Sequence, residues 1–264
     1  MSDAAWPPGP VWVVLPTYNE RENVVPMLEA LLAEFDRHGW DGRVLVVDDG
    51  SPDGTAALAD EVGRRDPRAS VLRRAAKQGI GPAYRAGFRA ALAGGAALVV
   101  EMDCDFSHDP RDVARLVAAS RDADLVLGSR YIQGGGVARW GAVRRGVSRG
   151  GCWYARRVLG IDVRDLTGGV KCFRRAVLER IPLGQVDAAG YGFQIEMTYR
   201  ALLAGFRVAE VPILFTERVH GTSKMSRRIV LEAAVLVPRL RMRLGAVPPP
   251  VRPVHLDDEV TAGR

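Results

Sequence analysis

The sequence predicts an α/β protein built on an open, mainly parallel sheet with helices on both faces. Three observations carry that expectation. Short β-branched runs without polar alternation recur along the first half, each followed by apolar residues at helical spacing, as expected of strands buried on both faces. Polar clusters follow three of these runs, where the carboxyl ends of parallel strands would gather. With 264 residues, the chain can also bury a substantial core.

"VWVVLP" (11–16) is the first strand, closed by proline, and Val24, Val25, Leu28, Leu31, Leu32 and Phe35 then share one helical face. "RVLVVDDG" (43–50) is the second strand, with "PDGTAALADEVGRR" as its helix. "SVLRR" leads into the helix "GPAYRAGFRAALA"; "AALVVEMD", "PRDVARLVAAS" and "ADLVLGS" complete a half spanning residues 11–129. Further on, "VRRGVSRGGCWYARRVL" has helical character, and "SRRIVLEAAVLVPRLRMRL" (226–244) is an amphipathic helix that Pro238 should bend. Residues 1–10 and the Pro-rich, then acidic, stretch 246–264 are expected to be disordered.

Charge and cysteine usage narrow the function classes. Lys and Arg number 37 against 31 Asp and Glu, a net charge of +6 that suits an anionic partner. Cys104, Cys152 and Cys172 are far apart with no C-x-x-C pair, which argues against a disulfide framework or thiolate zinc site and fits a reducing cytosol. No basic-then-apolar leader opens the sequence, and no stretch reaches the roughly 20 apolar residues of a membrane span, so a soluble or peripheral protein is expected.

The candidate chemistry lies in "EMDCDFSHDP" (101–110). If this stretch stays extended, Asp103 and Asp105 point the same way while Cys104 turns aside. Paired carboxylates suit a cation such as Mg²⁺ or Mn²⁺, itself shared with substrate phosphates. Helix capping is the competing reading and explains Asp109 before Pro110 well, but leaves Asp103 and Asp105 without a reason. In "KQGIGPAYRAG" (77–87) two readings stand side by side: a turn that Gly79 and Gly81 permit, or Lys77 and free backbone N–H groups beside a phosphate. The dinucleotide glycine fingerprint after the first strand is absent.

From Leu125 to Ile161 there is no acid, yet there are seven arginines. On a helix, Arg144 and Ser148 would share a face and could grip a phosphate. Nucleic acid is disfavoured as partner, because aromatics are few and no binding motif occurs. The 226–244 helix reads either as an ordinary docked helix or, given its basic flanks, as an interfacial membrane helix.

Taken in order, "VVLPTYNERENV", "VVDDGSPDGT", "KQGIGPAYRAGF", "EMDCDFSHDP", "LVLGSRY", "GYGFQIEM" and "FTERVHGTSKMS" resemble the successive motifs of the polyprenol-phosphate (dolichol-phosphate) mannosyltransferases of glycosyltransferase family 2. The resemblance covers roughly residues 11–228 and implies a GT-A catalytic domain over 11–225, with a nucleotide-binding half (11–129), an acceptor half (130–225) and membrane-surface helices at 226–245. It implies transfer of mannose from GDP-mannose to a polyprenyl phosphate, with another nucleotide sugar such as UDP-glucose as the alternative donor. Carried over by motif, Pro16, Tyr18, Glu20, Val47 and Asp49 would surround the guanosine, and Lys77, Asp103 and Cys104 would lie beside the nucleotide. Asp103, Asp105 and Ser107 would hold Mg²⁺ or Mn²⁺; Arg130, Arg218 and Lys224 would contact phosphates at the reacting centre. Arg144 and Ser148 would receive the lipid phosphate, and Gln194 and Glu196 would line the acceptor side. Cys104 stands where the family commonly has Ala, which would tune metal sensitivity to thiol reagents; "GGVKCF" replaces a more aromatic "GF" pattern and would leave the chemistry untouched.

What the resemblance implies for mechanism follows from charge. A phosphate monoester has a second pKa near about 6, so its oxygen is already a nucleophile at neutral pH and needs no general base. The expected reaction is in-line, inverting attack at the anomeric carbon, on an enzyme lodged peripherally at the cytoplasmic face of the cell membrane, with room for a membrane-protein partner.

Overall fold

Along β1 (Val11–Thr17), Val11, Val13 and Leu15 turn to one face of the sheet and Val14 to the other, and all four are fully buried. The same division runs through β2 (Gly42–Asp48), where Val44 and Val46 oppose Leu45 and Val47, and through β4 (Leu98–Glu101), where Leu98 and Val100 oppose Val99. A strand apolar on both sides needs a helical layer on each. One layer is α1 (Arg21–His38), α2 (Thr55–Arg65) and α4 (Asp112–Ala119), which bury Val24, Leu28, Phe35, Val62 and Val113. The other contains α3 (Ile80–Ala93), α5 (Ala142–Leu159), α6 (Arg175–Arg180), α7 (Tyr191–Leu203) and α8 (Arg227–Leu244). Helix α3 lies close because of Gly87: a Cβ there would fall 2.3 Å from Val14 Cγ1.

The computed structural model describes residues 6–186, 188, 190–217, 227–247 and 254–255. The remaining strands are β3 (Ala69–Arg73), β5 (Leu125–Ser129), β6 (Gly136–Val137), β7 (Lys171–Arg174), β8 (Val208–Pro212), β9 (Leu214–Phe215) and β10 (Val254–His255). The main sheet has the order β10-β8-β5-β7-β4-β1-β2-β3 and is parallel except for β7, which runs antiparallel between β4 and β5. β6 and β9 form a separate parallel pair.

Strand order reverses beside β1: β2 and β3 lie to one side, β4 to the other. Crevices at such a reversal open at the carboxyl ends of the strands, so the polar clusters after β1, β2 and β4 meet at one edge. Because β7 is antiparallel, the loop entering it reaches the same edge.

Helix α8 is one helix with Pro238 inside it, and its Val237 and Leu240 are buried in the core. It is therefore docked along that side. Among the described residues no helix is long and apolar enough to cross a membrane. The tail expected to be disordered contributes β10, which pairs with Ala209 and Glu210 of β8.

Candidate active site

The nucleotide-side candidates gather where β1 and β2 end. Asp48 shapes the turn after β2, its carboxylate accepting the N–H groups of Gly50 (3.1 Å) and Ser51 (2.9 Å) and the Thr17 hydroxyl (3.1 Å). Asp49, almost buried, pairs with Arg74 and accepts the N–H groups of Gln78 (3.1 Å) and Gly79 (3.3 Å). It thus staples the 74–79 loop to the strand end. That staple brings Lys77 over Tyr18, its Nζ 3.8 Å from the ring centroid. Glu20 holds the start of α1 by accepting from Asn23 Nδ2 at 2.8 Å, while its own N–H donates to Thr55 Oγ1 at 3.0 Å. Pro16 is in β1, half-buried. Val47 is fully buried against α3, so only its backbone can face a ligand; its side chain belongs to the core.

The acidic segment differs from the extended reading. β4 ends at Glu101, and the chain bends over Cys104–His108, so strand alternation does not aim the two carboxylates. A local turn orders the segment instead: Asp105 Oδ1 accepts the Ser107 N–H at 3.0 Å, and Phe106 between them has φ 58°. Asp109 serves as the cap expected of it, with Oδ1 accepting the Arg111 N–H at 2.9 Å and its carbonyl accepting from Asp112 at 2.9 Å. The non-glycine residues at positive φ among the described residues are Asn19, Phe106 and Arg139; the first two sit in loops at this edge, where unusual backbone tends to accompany function.

Hard oxygen donors are present for a divalent cation. Asp105 is 3 % exposed, and the buried Ser107 Oγ has no hydrogen-bond partner among the described residues. Gly169, in the loop before β7, lies against Asp103 and His108: a Cβ there would fall 3.1 Å from Asp103 Oδ2 and 3.5 Å from His108 Nε2. Two carboxylates and a hydroxyl fit Mg²⁺ or Mn²⁺ that also takes phosphate oxygens. They do not make an all-protein cage, for no group of three or more His, Cys, Asp or Glu among the described residues is placed to hold a metal. Cys104 is buried and its thiol is pushed well above the usual range, by burial first and then by Glu20, Asp105 and Asp103. Both effects disfavour the thiolate, which is the reactive form of a cysteine.

Across the edge, Arg130 follows β5 and is held in a buried bidentate pair with Asp165, Nε and Nη2 donating at 2.7 Å each. Nη2 also donates to Thr167 Oγ1 at 2.8 Å. Glu210 of β8 fixes the Asp165 turn by accepting the N–H groups of Arg164 and Asp165, both at 2.8 Å. Burial alone would raise the Asp165 carboxyl, but the Arg130 charge and hydrogen bonds outweigh it and leave it below the usual range. Aromatic rings of Tyr131, Trp140 and Phe215 surround the guanidinium at 5.1–5.5 Å.

Arg144 and Ser148 do lie one turn apart on α5. Arg144 sits 4.1 Å from the Trp140 ring and 3.1 Å from Glu217; Ser148 Oγ accepts the Tyr131 hydroxyl at 2.6 Å. Phe215 joins the two clusters, with His108 at 5.1 Å and Trp140 at 5.2 Å between ring centroids. The neighbouring Thr216 N–H donates to the Ser107 carbonyl at 3.0 Å. Burial pushes the His108 imidazole down to about 4, so it is neutral beside Asp105 and Arg130.

The other acceptor-side candidates are not displayed. Gln194 is buried, its backbone carbonyl accepting from Lys171 Nζ at 2.9 Å and its side-chain oxygen accepting from the same ammonium. Glu196 is buried in an ion cluster with Arg200 (2.7 Å) and Arg243 (3.1 Å). Arg218 and Lys224 lie outside the described residues. Residues passed over in the sequence were Asp48, His108, Asp165, Gly169 and Lys171. Asp165 had one signal available: with Asp162 it is the first acid after the acid-free, arginine-rich run.

The model for "Glycosyl transferase family 2" matches residues 12–182. The polyprenol monophosphomannose synthase of Mycolicibacterium smegmatis is 48 % identical over 223 residues, covering 84 % of this chain and 83 % of that protein. The undecaprenyl-phosphate mannosyltransferase of Micrococcus luteus is 44 % identical over 244 residues, covering 89 % and 99 %. Among solved structures, glucosyl-3-phosphoglycerate synthase from Mycobacterium tuberculosis, crystallised with Mn²⁺, UDP and phosphoglyceric acid, aligns with a TM-score of 0.64 over 90 % of this chain and 79 % of that one. At 23 % identity that likeness concerns the fold, a GT-A-like sheet flanked by helices.

Proposed function

The chain belongs to glycosyl transferase family 2, and from that membership we propose that it transfers mannose from GDP-mannose to a polyprenyl monophosphate, with inversion and with Mg²⁺ or Mn²⁺. The names of the two relatives support the sugar and the acceptor class. The observation that carries the reading is Phe215, which joins the Asp103–Ser107 turn through His108 to the Arg130 and Arg144 cluster through Trp140. A donor diphosphate and an acceptor phosphate held there would be neighbours.

Two anionic groups must approach without repulsion winning. Arg130, fixed by Asp165 in a buried setting, supplies positive charge that does not need to reorganise. Arg144 and Ser148 offer a charge-assisted grip on the acceptor phosphate, and the Arg144 Nε has no partner among the described residues. Tyr18, Glu20, Asp49 and Lys77 form the guanosine side, with Lys77 able to turn from the Tyr18 ring to a phosphate. Asp103, Asp105 and Ser107 would hold the divalent cation, which when bound offsets the charge of the leaving diphosphate. A phosphate monoester has a second pKa of about 6, so its oxygen attacks without a general base.

Membrane placement is the remaining part of the proposal. Val143 (82 % exposed) and Trp153 (63 %) on α5, and Met242 (77 %) on α8, project outward among arginines. The Tyr154 hydroxyl donates to the Ala234 carbonyl at 2.9 Å, which ties the two helices together. A basic surface studded with apolar side chains suits the anionic cytoplasmic leaflet.

A screen of nucleotide sugars against undecaprenyl phosphate vesicles, with and without chelator, tests the reading. Chelator-sensitive mannosyl transfer from GDP-mannose is expected. Turnover of another sugar alone would overturn the donor, and turnover with a water-soluble acceptor alone would overturn the lipid.

A further inference from the structure

The reaction above makes no use of Glu101 and Lys171, an acid and a base with no solvent exposure. They stand opposite each other across the antiparallel β4–β7 pairing, Nζ to Oε1 3.5 Å apart. Burial raises the Glu101 carboxyl to about 7 and lowers the Lys171 ammonium, each opposed by the partner's charge. Replacing a buried ion pair by well-packed apolar residues is often neutral or stabilising, so stability alone does not account for this choice.

The reason is visible in what Lys171 holds. Its ammonium also bonds the backbone and side-chain oxygens of Gln194, in the second turn of α7. That end of α7 is a junction. A Cβ at Gly192 would fall 2.3 Å from Leu236 of α8, and one at Gly81, at the start of α3, would fall 3.2 Å from Phe193 and 3.0 Å from the Ala188 carbonyl. In the other direction, Glu101 lies two residues before Asp103, and Gly169, two residues before Lys171, packs on Asp103.

We propose that Lys171 is a positioning residue: by tying Gln194 of α7 to Glu101 of β4, it fixes α7, with the start of α3 and the stretch of α8 packed against it, relative to the Asp103–Asp105 turn. It touches no substrate and acts through the spacing between α7 and that turn. The proposal rests on the transfer reaction above.

The test separates this role from mere stability. Lys171→Met strands a buried carboxylate, and its Tm should fall by about 10 °C. The double variant Glu101→Leu/Lys171→Met removes both charges and should recover most of that Tm. If Lys171 positions α7, the recovered protein still loses about 10²-fold in kcat while both KM values stay near wild type. Wild-type kcat in the stable double variant would overturn the proposal. Should the double variant not fold, Lys171→Met assayed well below its lowered Tm carries the same reading: lowered kcat with near-wild-type KM supports the role and wild-type kcat overturns it. All are assayed with whichever nucleotide sugar the wild-type chain turns over, so a wrong donor leaves the comparison intact.

Discussion

Arg130 and Asp165 are locked together at 2.7 Å through two parallel N–H to oxygen bonds, both side chains sealed from solvent. A third bond, from the Arg130 N–H to Asp165 Oδ2 at 2.9 Å, fixes the backbone as well. The guanidinium therefore has little freedom to swing, which is what a preorganised phosphate contact requires.

Asp165→Ala should cost about 3–5 kcal/mol, because it leaves a buried guanidinium uncompensated. The pH dependence has a definite sign. The folded-state pKa of Asp165 lies below its ordinary value near about 4, so its contribution is complete above that value and disappears as pH falls through the lower folded pKa. Denaturant titrations between pH 6 and roughly pH 2 should show wild type converging on the variant at the acid end; a constant gap would contradict the pairing.

Asp105→Asn should abolish chelator-sensitive transfer with Tm held within a few degrees, since the Ser107 N–H can still bond the amide oxygen at that position. Calorimetric titration with Mn²⁺ is the companion measurement. Undiminished turnover would remove Asp105 from the chemistry.

The sheet was legible because Val and Leu fill both faces of β1, β2 and β4, and only a doubly covered parallel sheet accounts for that pattern. The edge where "PTYNE", "DDGSPDG" and "DCDFSHD" meet followed from the same argument. Asp103 and Asp105 were recognisable, but the extended stretch expected there ends at Glu101 and the chain turns at Phe106 instead. Asp165, Gly169 and Lys171 were not legible: each matters through a residue more than thirty positions away, and periodicity along the chain carries no such information. Gln194 and Glu196 were expected to line the acceptor side, whereas hydrogen bonds from Lys171 hold Gln194 in the interior and buried ion pairs hold Glu196.

Arg144→Ala should raise the KM for lipid phosphate by about 10- to 100-fold, the worth of a charge-assisted hydrogen bond, and leave donor affinity alone. Kinetics at saturating donor, together with direct nucleotide binding, separate the two. An equal loss in both would contradict the acceptor assignment.

Asp49→Ala should loosen the 74–79 loop that it holds through Arg74, Gln78 and Gly79, letting Lys77 leave Tyr18. The expected result is a donor KM raised by about tenfold with acceptor KM unchanged. Fluorescence titration of GDP would check it, and wild-type affinity would dissociate the loop from the nucleotide.

Val143→Ser with Trp153→Ser should weaken partition onto anionic vesicles by at least about tenfold, given roughly 1.5–3 kcal/mol per buried large apolar side chain. Neither side chain supports the core, so Tm should not move. Vesicle sedimentation at fixed salt reads the effect; undiminished binding would place the membrane surface elsewhere.

The most direct measurement is a crystal structure with GDP and Mn²⁺, read by anomalous scattering at the manganese edge. The account predicts a peak within coordination distance of Asp103 and Asp105, with the diphosphate reaching from it toward Arg130 and the guanosine beside Tyr18 and Asp49. An ion elsewhere, or a nucleotide seated away from the carboxyl ends of β1, β2 and β4, would contradict it.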